Sequence, residues 1–263
     1  AHRLRAASVG REDAPFLRHV GTDRVTSYGD FFANAERIAN ALRRMGVHVG
    51  DRVAVQAPKT QTMLELYLGC VLSGAVFLPL NPAYTESELR YFLGDATPTL
   101  LVCDAQKHAA LEGLAAILYT SGTTGRSKGA MLSHGALASN SETLRDYWHF
   151  TSDDVLIHAL PIFHTHGLFV ATNITLMAGG SCLFLQGFDE GAILDVMPQA
   201  TALMGVPTFY TRLLGQFGLA YAARNMRLFI SGSAPLLAET HARWQEVTGH
   251  AILERYGMTE TNM

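Results

Sequence analysis

Residues 117–134 read ILYTSGTTGRSKGAMLSH, and the fold turns on what this stretch is built to hold. An apolar run breaks into three glycines, five hydroxyl side chains, an arginine and a lysine before the sequence resumes as AMLSH. A glycine- and hydroxyl-rich turn after a strand either cradles phosphates or simply connects two elements. One phosphate-binding pattern, the Walker spacing G-x-x-x-x-G-K-[ST], is testable residue by residue. Counting from Gly122, Lys128 falls at the Walker lysine, but Ser127 occupies the second glycine position and Gly129 replaces the magnesium-binding Ser/Thr. The pattern fails on both flanks of its lysine. What remains is flexible backbone at Gly122, Gly125 and Gly129, hydroxyls from Thr120, Ser121, Thr123, Thr124 and Ser127, and cations at Arg126 and Lys128. Backbone N–H groups and hydroxyls around a concave turn make an anion site without Walker geometry.

Further blocks follow that loop: LPIFHTHGLF at 160–169, ISGSAPL at 230–236 and ERYGMTET at 254–261. Together with YTSGTTGRSKG they resemble, in order, the signature segments of the adenylate-forming superfamily, which includes acyl-CoA synthetases, luciferases and the adenylation domains of peptide synthetases. The resemblance covers most of the chain.

Composition bounds the alternatives. The 263 residues are 48% hydrophobic, enough for one large domain or two subdomains. Lys+Arg number 20 against Asp+Glu 23, a net charge of −3, so no basic stripe argues for nucleic acid. Cys70, Cys103 and Cys182 lie far apart in apolar runs, without metal or redox spacing, and read as core thiols of a reducing compartment. No signal segment opens the chain and no apolar run approaches the roughly 20 residues needed to span a bilayer. A cytoplasmic protein with no membrane span is the expectation, and the sequence carries no signal for oligomeric state.

Along the chain, Tyr28, Phe31, Phe32, Ala35, Ile38, Ala39, Leu42 and Met45 recur at helical spacing until Gly46. Strands are predicted over 52–55, 76–80 and 99–103, with a helix over 60–73 and another introduced by the box Thr85-Glu86-Ser87-Glu88. Later strand signals fall at 155–160, 181–185, 202–205, 228–230 and 251–254, alternating with helical stretches. Short apolar strands separated by amphipathic helices predict an α/β fold of mainly parallel sheets sandwiched by helices.

The resemblance makes this a partial N-terminal AMP-binding domain over 1–263, with α/β subdomains at roughly 1–113 and 114–263. Two features depart from the family. The connection 105–114 is shorter than usual, which suggests missing residues. The sequence also stops two residues after ERYGMTET, where the family continues with a ribose-binding aspartate, a hinge and a small C-terminal domain bearing a catalytic lysine. That domain is expected to be absent here.

The reaction implied by the resemblance has two halves, with ATP, Mg²⁺ and CoA as partners of a small carboxylic acid. The acid's carboxylate attacks the α-phosphorus of ATP, and a thiol then displaces AMP from the acyl-adenylate. Bringing one anion against another calls for charge neutralisation and alignment more than for a protein nucleophile. Carried over from the family, Thr120, Ser121, Gly122, Thr123, Thr124, Gly125 and Lys128 hold the β- and γ-phosphates. Gly232, Ser233, Ala234 and Pro235 wall the adenine pocket, and Glu254, Tyr256, Gly257, Met258 and Thr259 complete the nucleotide site. Within that set Tyr256 stacks on adenine and Thr259 meets the α-phosphate. Glu260, with Thr123, is implied as the oxygen ligand of Mg²⁺.

Taken singly, Tyr256 and Met258 also read as core residues at a strand end, and Glu260 as an exposed carboxylate. His164 and His166 also read as a metal pair, but zinc needs a third protein ligand and none has suitable local spacing. The family reading puts His166, and more loosely His164, beside the acyl carboxylate, with Ser231 nearby.

For the choice of acid the informative run is MGVPTFYTRLL at 204–214. Arg212 there sits in a largely apolar neighbourhood, and a guanidinium suits the second carboxylate of a short dicarboxylate better than a fatty chain. Spacing alone leaves Arg212 equally able to face solvent. These blocks most resemble malonate-activating members of the family. Other short, medium or aryl acids, a carrier-protein thiol in place of CoA, and a nucleotide-binding fragment without complete activity stay open.

Overall fold

The computed structural model describes residues 2–103, 130 and 132–259. The chain opens with α1 (His2–Ala6) and an antiparallel ribbon of β1 (Pro15–His19) and β2 (Val25–Ser27). Next come α2 (Tyr28–Arg44), β3 (Arg52–Gln56), α3 (Gln61–Ser73), β4 (Val76–Pro79), α4 (Glu86–Ala96) and β5 (Leu100–Cys103). The described residues fall into two compact units, 30–103 with 130, and 2–29 with 132–259.

In the first unit β3, β4 and β5 form a parallel sheet in the order β4-β3-β5. Pro79, which has no N–H for a ladder, lies on the edge strand β4. The helices start where their caps dictate: Thr60 accepts from Met63 N at 3.2 Å, and the capping box of Thr85 and Glu88 is closed in both directions. Leu89, Phe92, Leu93 and Ala96 of α4 pack on Ala54, Leu78 and Leu80 of the sheet. Each large side chain buried there is worth about 1.5–3 kcal/mol. The apolar stripe of α2 is buried at Tyr28, Phe31, Phe32, Ala35, Ala39 and Leu42 and half-buried at Ile38, but Met45, predicted to continue it, is exposed beyond the helix end.

In the second unit β6 (Val155–His158), β7 (Ser181–Phe184), β8 (Ala202–Gly205), β9 (Leu228–Ser231) and β10 (Ile252–Glu254) join the ribbon in one sheet, ordered β10-β9-β8-β6-β7-β1-β2. Every neighbouring pair is parallel except β1 with β2. β7, β8 and β9 are buried along their whole length, as parallel strands covered on both faces must be. Residues 2–29, expected in the first subdomain, lie in this second unit because Leu17 pairs with Cys182 and Arg18 with Leu183. No local pattern reports a partner so distant in sequence.

A polar network closes the amino ends of this sheet. Asp154 accepts from Arg227 Nε at 2.8 Å and Nη2 at 2.6 Å, from Thr201 Oγ1 at 2.7 Å and from Thr151 N at 2.8 Å. Burial pushes its carboxyl up, but these donors outweigh burial and hold it below the usual carboxylate range. At the carboxyl ends the topology does something else. The chain leaves β6 for β7 on one side, then lays β8, β9 and β10 on the other. Connections diverge at the β6/β8 boundary, and in open parallel sheets that divergence opens a crevice at the carboxyl ends. No helix among the described residues is long and apolar enough to cross a membrane.

Candidate functional site

The block 160–169 follows β6 to that crevice and then winds into a π-helical segment, His166–Thr172. Wider π turns are uncommon and recur at functional sites. Gly167 makes this one possible: a Cβ there would lie 2.1 Å from the carbonyl oxygen of Pro161, so only glycine fits. Buried Thr172 donates its hydroxyl to Gly167 O at 3.0 Å, and His158 Nε2 lies 3.1 Å from the same oxygen. This bracing holds His166 at the first position of the segment, 2% exposed.

His166 Nδ1 is 3.4 Å from Ser233 Oγ, and its Nε2 has no hydrogen-bond partner among the described residues. Burial, with the charge of Arg255 adding to it, pushes the imidazole down to about 3, so it is neutral at physiological pH. Ser231 Oγ, at the carboxyl end of β9, is likewise buried without a partner among the described residues. Gly232 N donates to Gly205 O at 3.1 Å and Arg255 N to Ser231 O at 2.9 Å, which knits the ends of β8, β9 and β10 into one row. A Cβ on Gly232 would sit 2.9 Å from Arg255 Cγ and 3.3 Å from His166 Cε1. The missing side chain is what lets these two residues meet. Ser233 adopts φ 71°, a left-handed conformation that costs a non-glycine residue about 1–3 kcal/mol and is typical of functional sites.

The structure thus gathers His166, Ser231, Gly232 and Ser233 at one end of the sheet. Ala234 and Pro235 continue the wall as exposed residues. Tyr256 is 88% exposed, which rules out the core reading and leaves its ring face open for stacking. Met258 is also exposed, Gly257 and Thr259 are half-buried, and exposed Glu254 accepts from Leu236 N at 3.2 Å. Arg212 is placed differently. Its side chain is 58% exposed, its Nη2 lies 2.5 Å from Glu190 Oε1, and its guanidinium covers the Phe188 ring at 4.7 Å.

His164 is exposed against Phe163, and among the described residues no three His, Cys, Asp or Glu converge as a metal site. Thr120, Ser121, Gly122, Thr123, Thr124, Gly125, Lys128 and Glu260 lie outside the described residues. Sequence reasoning passed over Arg255, whose guanidinium burial pushes down to about 10. The one available signal was its place directly after β10, inside the block 254–261.

A family model described as AMP-binding enzyme matches residues 4–114 and 104–263. The two matches overlap within the connection that reads as short. A feruloyl-CoA synthase from Amycolatopsis sp is 32% identical over 280 residues, covering 94% of this chain and 56% of that protein. A malonate-CoA ligase from Arabidopsis thaliana is 30% identical over 312 residues, covering 89% and 51%. The crystal structure of ATP-bound MatB from Rhodopseudomonas palustris matches with a TM-score of 0.90 and 51% identity, covering 99% of this chain and 60% of that one. The chain therefore spans between half and three fifths of the length of these relatives.

Proposed function

We propose, because this chain belongs to the AMP-binding enzyme family, that it provides the nucleotide- and acid-binding part of an ATP-dependent acid–thiol ligase whose acid is malonate and whose thiol is CoA. The observation that carries the reading is the buried, neutral His166 set against Gly232 and Ser233 at the carboxyl ends of a parallel sheet. The similarity to the R. palustris MatB structure supports malonate as the acid.

In the first half-reaction an oxygen of the acid's carboxylate bonds to the α-phosphorus of ATP while the bond from that phosphorus to the bridging oxygen breaks, releasing pyrophosphate. In the second, the thiol sulfur bonds to the acyl carbon, AMP leaves, and the thiol gives up its proton. His166 Nε2 supplies a fixed, uncharged dipole that orients the acid without neutralising its nucleophilic oxygen. Gly232 to Pro235 and Tyr256 frame the adenine, with Thr259 at the α-phosphate. Residues 120–128 hold the departing phosphates, and Glu260 with Thr123 are the residues for Mg²⁺, a cation that screens the phosphates when bound. Arg212 takes the second carboxylate in exchange for Glu190.

The test is acid-dependent pyrophosphate release by the protein over malonate, methylmalonate, acetate, octanoate and coumarate. Malonate is expected to give the highest kcat/KM. Acid-independent phosphate release would overturn the ligase reading. A second reading, an aryl-acid synthetase, draws on the engagement of Arg212 by Glu190 and on the similarity to a feruloyl-CoA synthase. A coumarate rate above that of malonate would favour it.

A further inference from the structure

His158 ends β6 and Thr172 ends the π-helical segment, and both are buried. Gly167 and Thr172 stand five residues apart, the spacing of a π-helical hydrogen bond. The Thr172 hydroxyl follows the same spacing and donates back to Gly167 O at 3.0 Å. In the α-helix Asn173–Ala178 that follows, Thr175 instead donates to Ala171 O at 2.9 Å, four residues back, as threonines in α-helices do. Each hydroxyl thus matches the winding beneath it. Because Thr172 gives its proton to Gly167 O, its oxygen is left to accept. His158 Nε2, 3.1 Å from both oxygens, is therefore the ring nitrogen that carries hydrogen.

We propose that His158 and Thr172 are positioning residues for His166: their hydrogen bonds at Gly167 O hold the turn after β6 in its wide winding, and that winding keeps His166 against Gly232. In an α winding the Thr172 hydroxyl would come to the carbonyl of Leu168, four residues back. His158 Nε2 would then lose this pair of acceptors, and withdrawing acceptors from a buried donor is costly. The strand end thereby selects the wide turn from below, through hydrogen bonds alone. The consequence for the reaction rests on the proposed place of His166 beside the acid's carboxylate, whereas the clamp itself rests on geometry.

Two readouts in the protein test the two parts separately. One is the pH dependence of the His166 ring C–H signals by NMR, identified by their loss in His166→Gln. The other is kcat and KM of malonate-dependent pyrophosphate release. Burial, with the charge of Arg255, keeps His166 neutral, so its wild-type signals are expected to stay fixed between about pH 5 and 8. Thr172→Val keeps the shape and removes the hydroxyl, and His158→Phe keeps a ring and removes the donor. Each is expected to expose His166 and make its signals titrate with a midpoint raised towards 6.5. Each is also expected to lower kcat for malonate by about 10²-fold while KM for ATP stays within about threefold. Thr172→Ser and His158→Gln, which return a hydroxyl and a side-chain N–H, are expected to restore the fixed signals and most of kcat. Thr172→Ala carries the same test should Thr172→Val not fold. His166 signals that stay fixed in the folded variants, or that titrate equally in Thr172→Ser and His158→Gln, would overturn the clamp and leave the ligase reading in place. Signals that titrate as expected, in a protein whose wild type releases no pyrophosphate with any acid, would overturn the ligase reading and leave the clamp standing.

Discussion

Asp154 and His166 flank opposite ends of β6, and their polar atoms meet different fates. At the amino end Asp154 collects hydrogen bonds from Arg227, Thr201 and Thr151, and its partner Arg227 spends further donors on Trp148 O and His149 O, each at 3.1 Å. At the carboxyl end His166 Nε2 and Ser231 Oγ are buried without partners among the described residues, and Ser233 holds a left-handed backbone. A buried polar atom without a partner costs about 1–3 kcal/mol, so such atoms persist only where the rest of the fold over-determines them. The amino end fixes the strands, and the carboxyl end is thereby free to keep polar atoms in reserve for a ligand. One sheet divides stability from function along its own axis.

Asp154→Ala attacks the stabilising end. Removing one partner of a buried pair typically costs 3–5 kcal/mol, and because Arg227 is 38% exposed the expected loss is about 2–3 kcal/mol, read as a lowered urea midpoint. The preference among acids should be untouched. An unmoved midpoint would erase the distinction between the two ends.

At the other end, Arg212→Ala should lower kcat/KM for malonate by about 10- to 10²-fold and leave propionate nearly unaffected. The effect is bounded because a half-exposed cation holds a carboxylate less tightly than a buried one. Parallel losses for the two acids would move Arg212 to the structural side.

The titration of His166 sharpens the contrast. Its folded value near 3 lies below the ordinary 6.5, so between these pH values the unfolded chain binds a proton that the folded chain does not. Stability is therefore complete above about pH 6.5 and falls on acidification towards 3, by up to about 1.4 kcal/mol per pH unit. Urea midpoints at pH 7 and pH 5 should converge in His166→Gln relative to wild type. A difference as large in the variant would show that His166 is not the titrating group.

The smallest expected effect belongs to Glu190→Gln, which frees Arg212 from an exposed pair worth less than about 1 kcal/mol. A drop of about two- to fivefold in KM for malonate at constant kcat is expected. A rise in KM would mean that Glu190 positions Arg212 and does not compete for it.

What the sequence revealed follows the range of each interaction. The capping box at Thr85 was legible because its two partners lie within one helical turn of each other. The parallel strands were legible as short apolar runs, and the blocks around 160–169, 230–236 and 254–261 as motifs. The place of β1 in the second unit's sheet was not, because the pairing of Leu17 with Cys182 leaves no local trace. Arg212 and Arg255 show the same limit within the site. Arg212 turns to solvent and Glu190, while the stem of Arg255 lies over a glycine. Gly232, just after β9, lies far from Arg255 in sequence, so no local pattern reports that contact.

The π-helical segment carries a lesson about chain length. Such a turn is an α-helical one with an extra residue accommodated in its winding. Deleting one residue between Gly167 and Thr172 would let the backbone relax into an ordinary helix, and each residue contributes about 100° of rotation. His166 would then swing about a quarter-turn away from Gly232 with every atom of its own side chain intact. The histidine is thus aimed by a count of residues, and a deletion that leaves every named site residue in place would disarm the site as completely as replacing one of them.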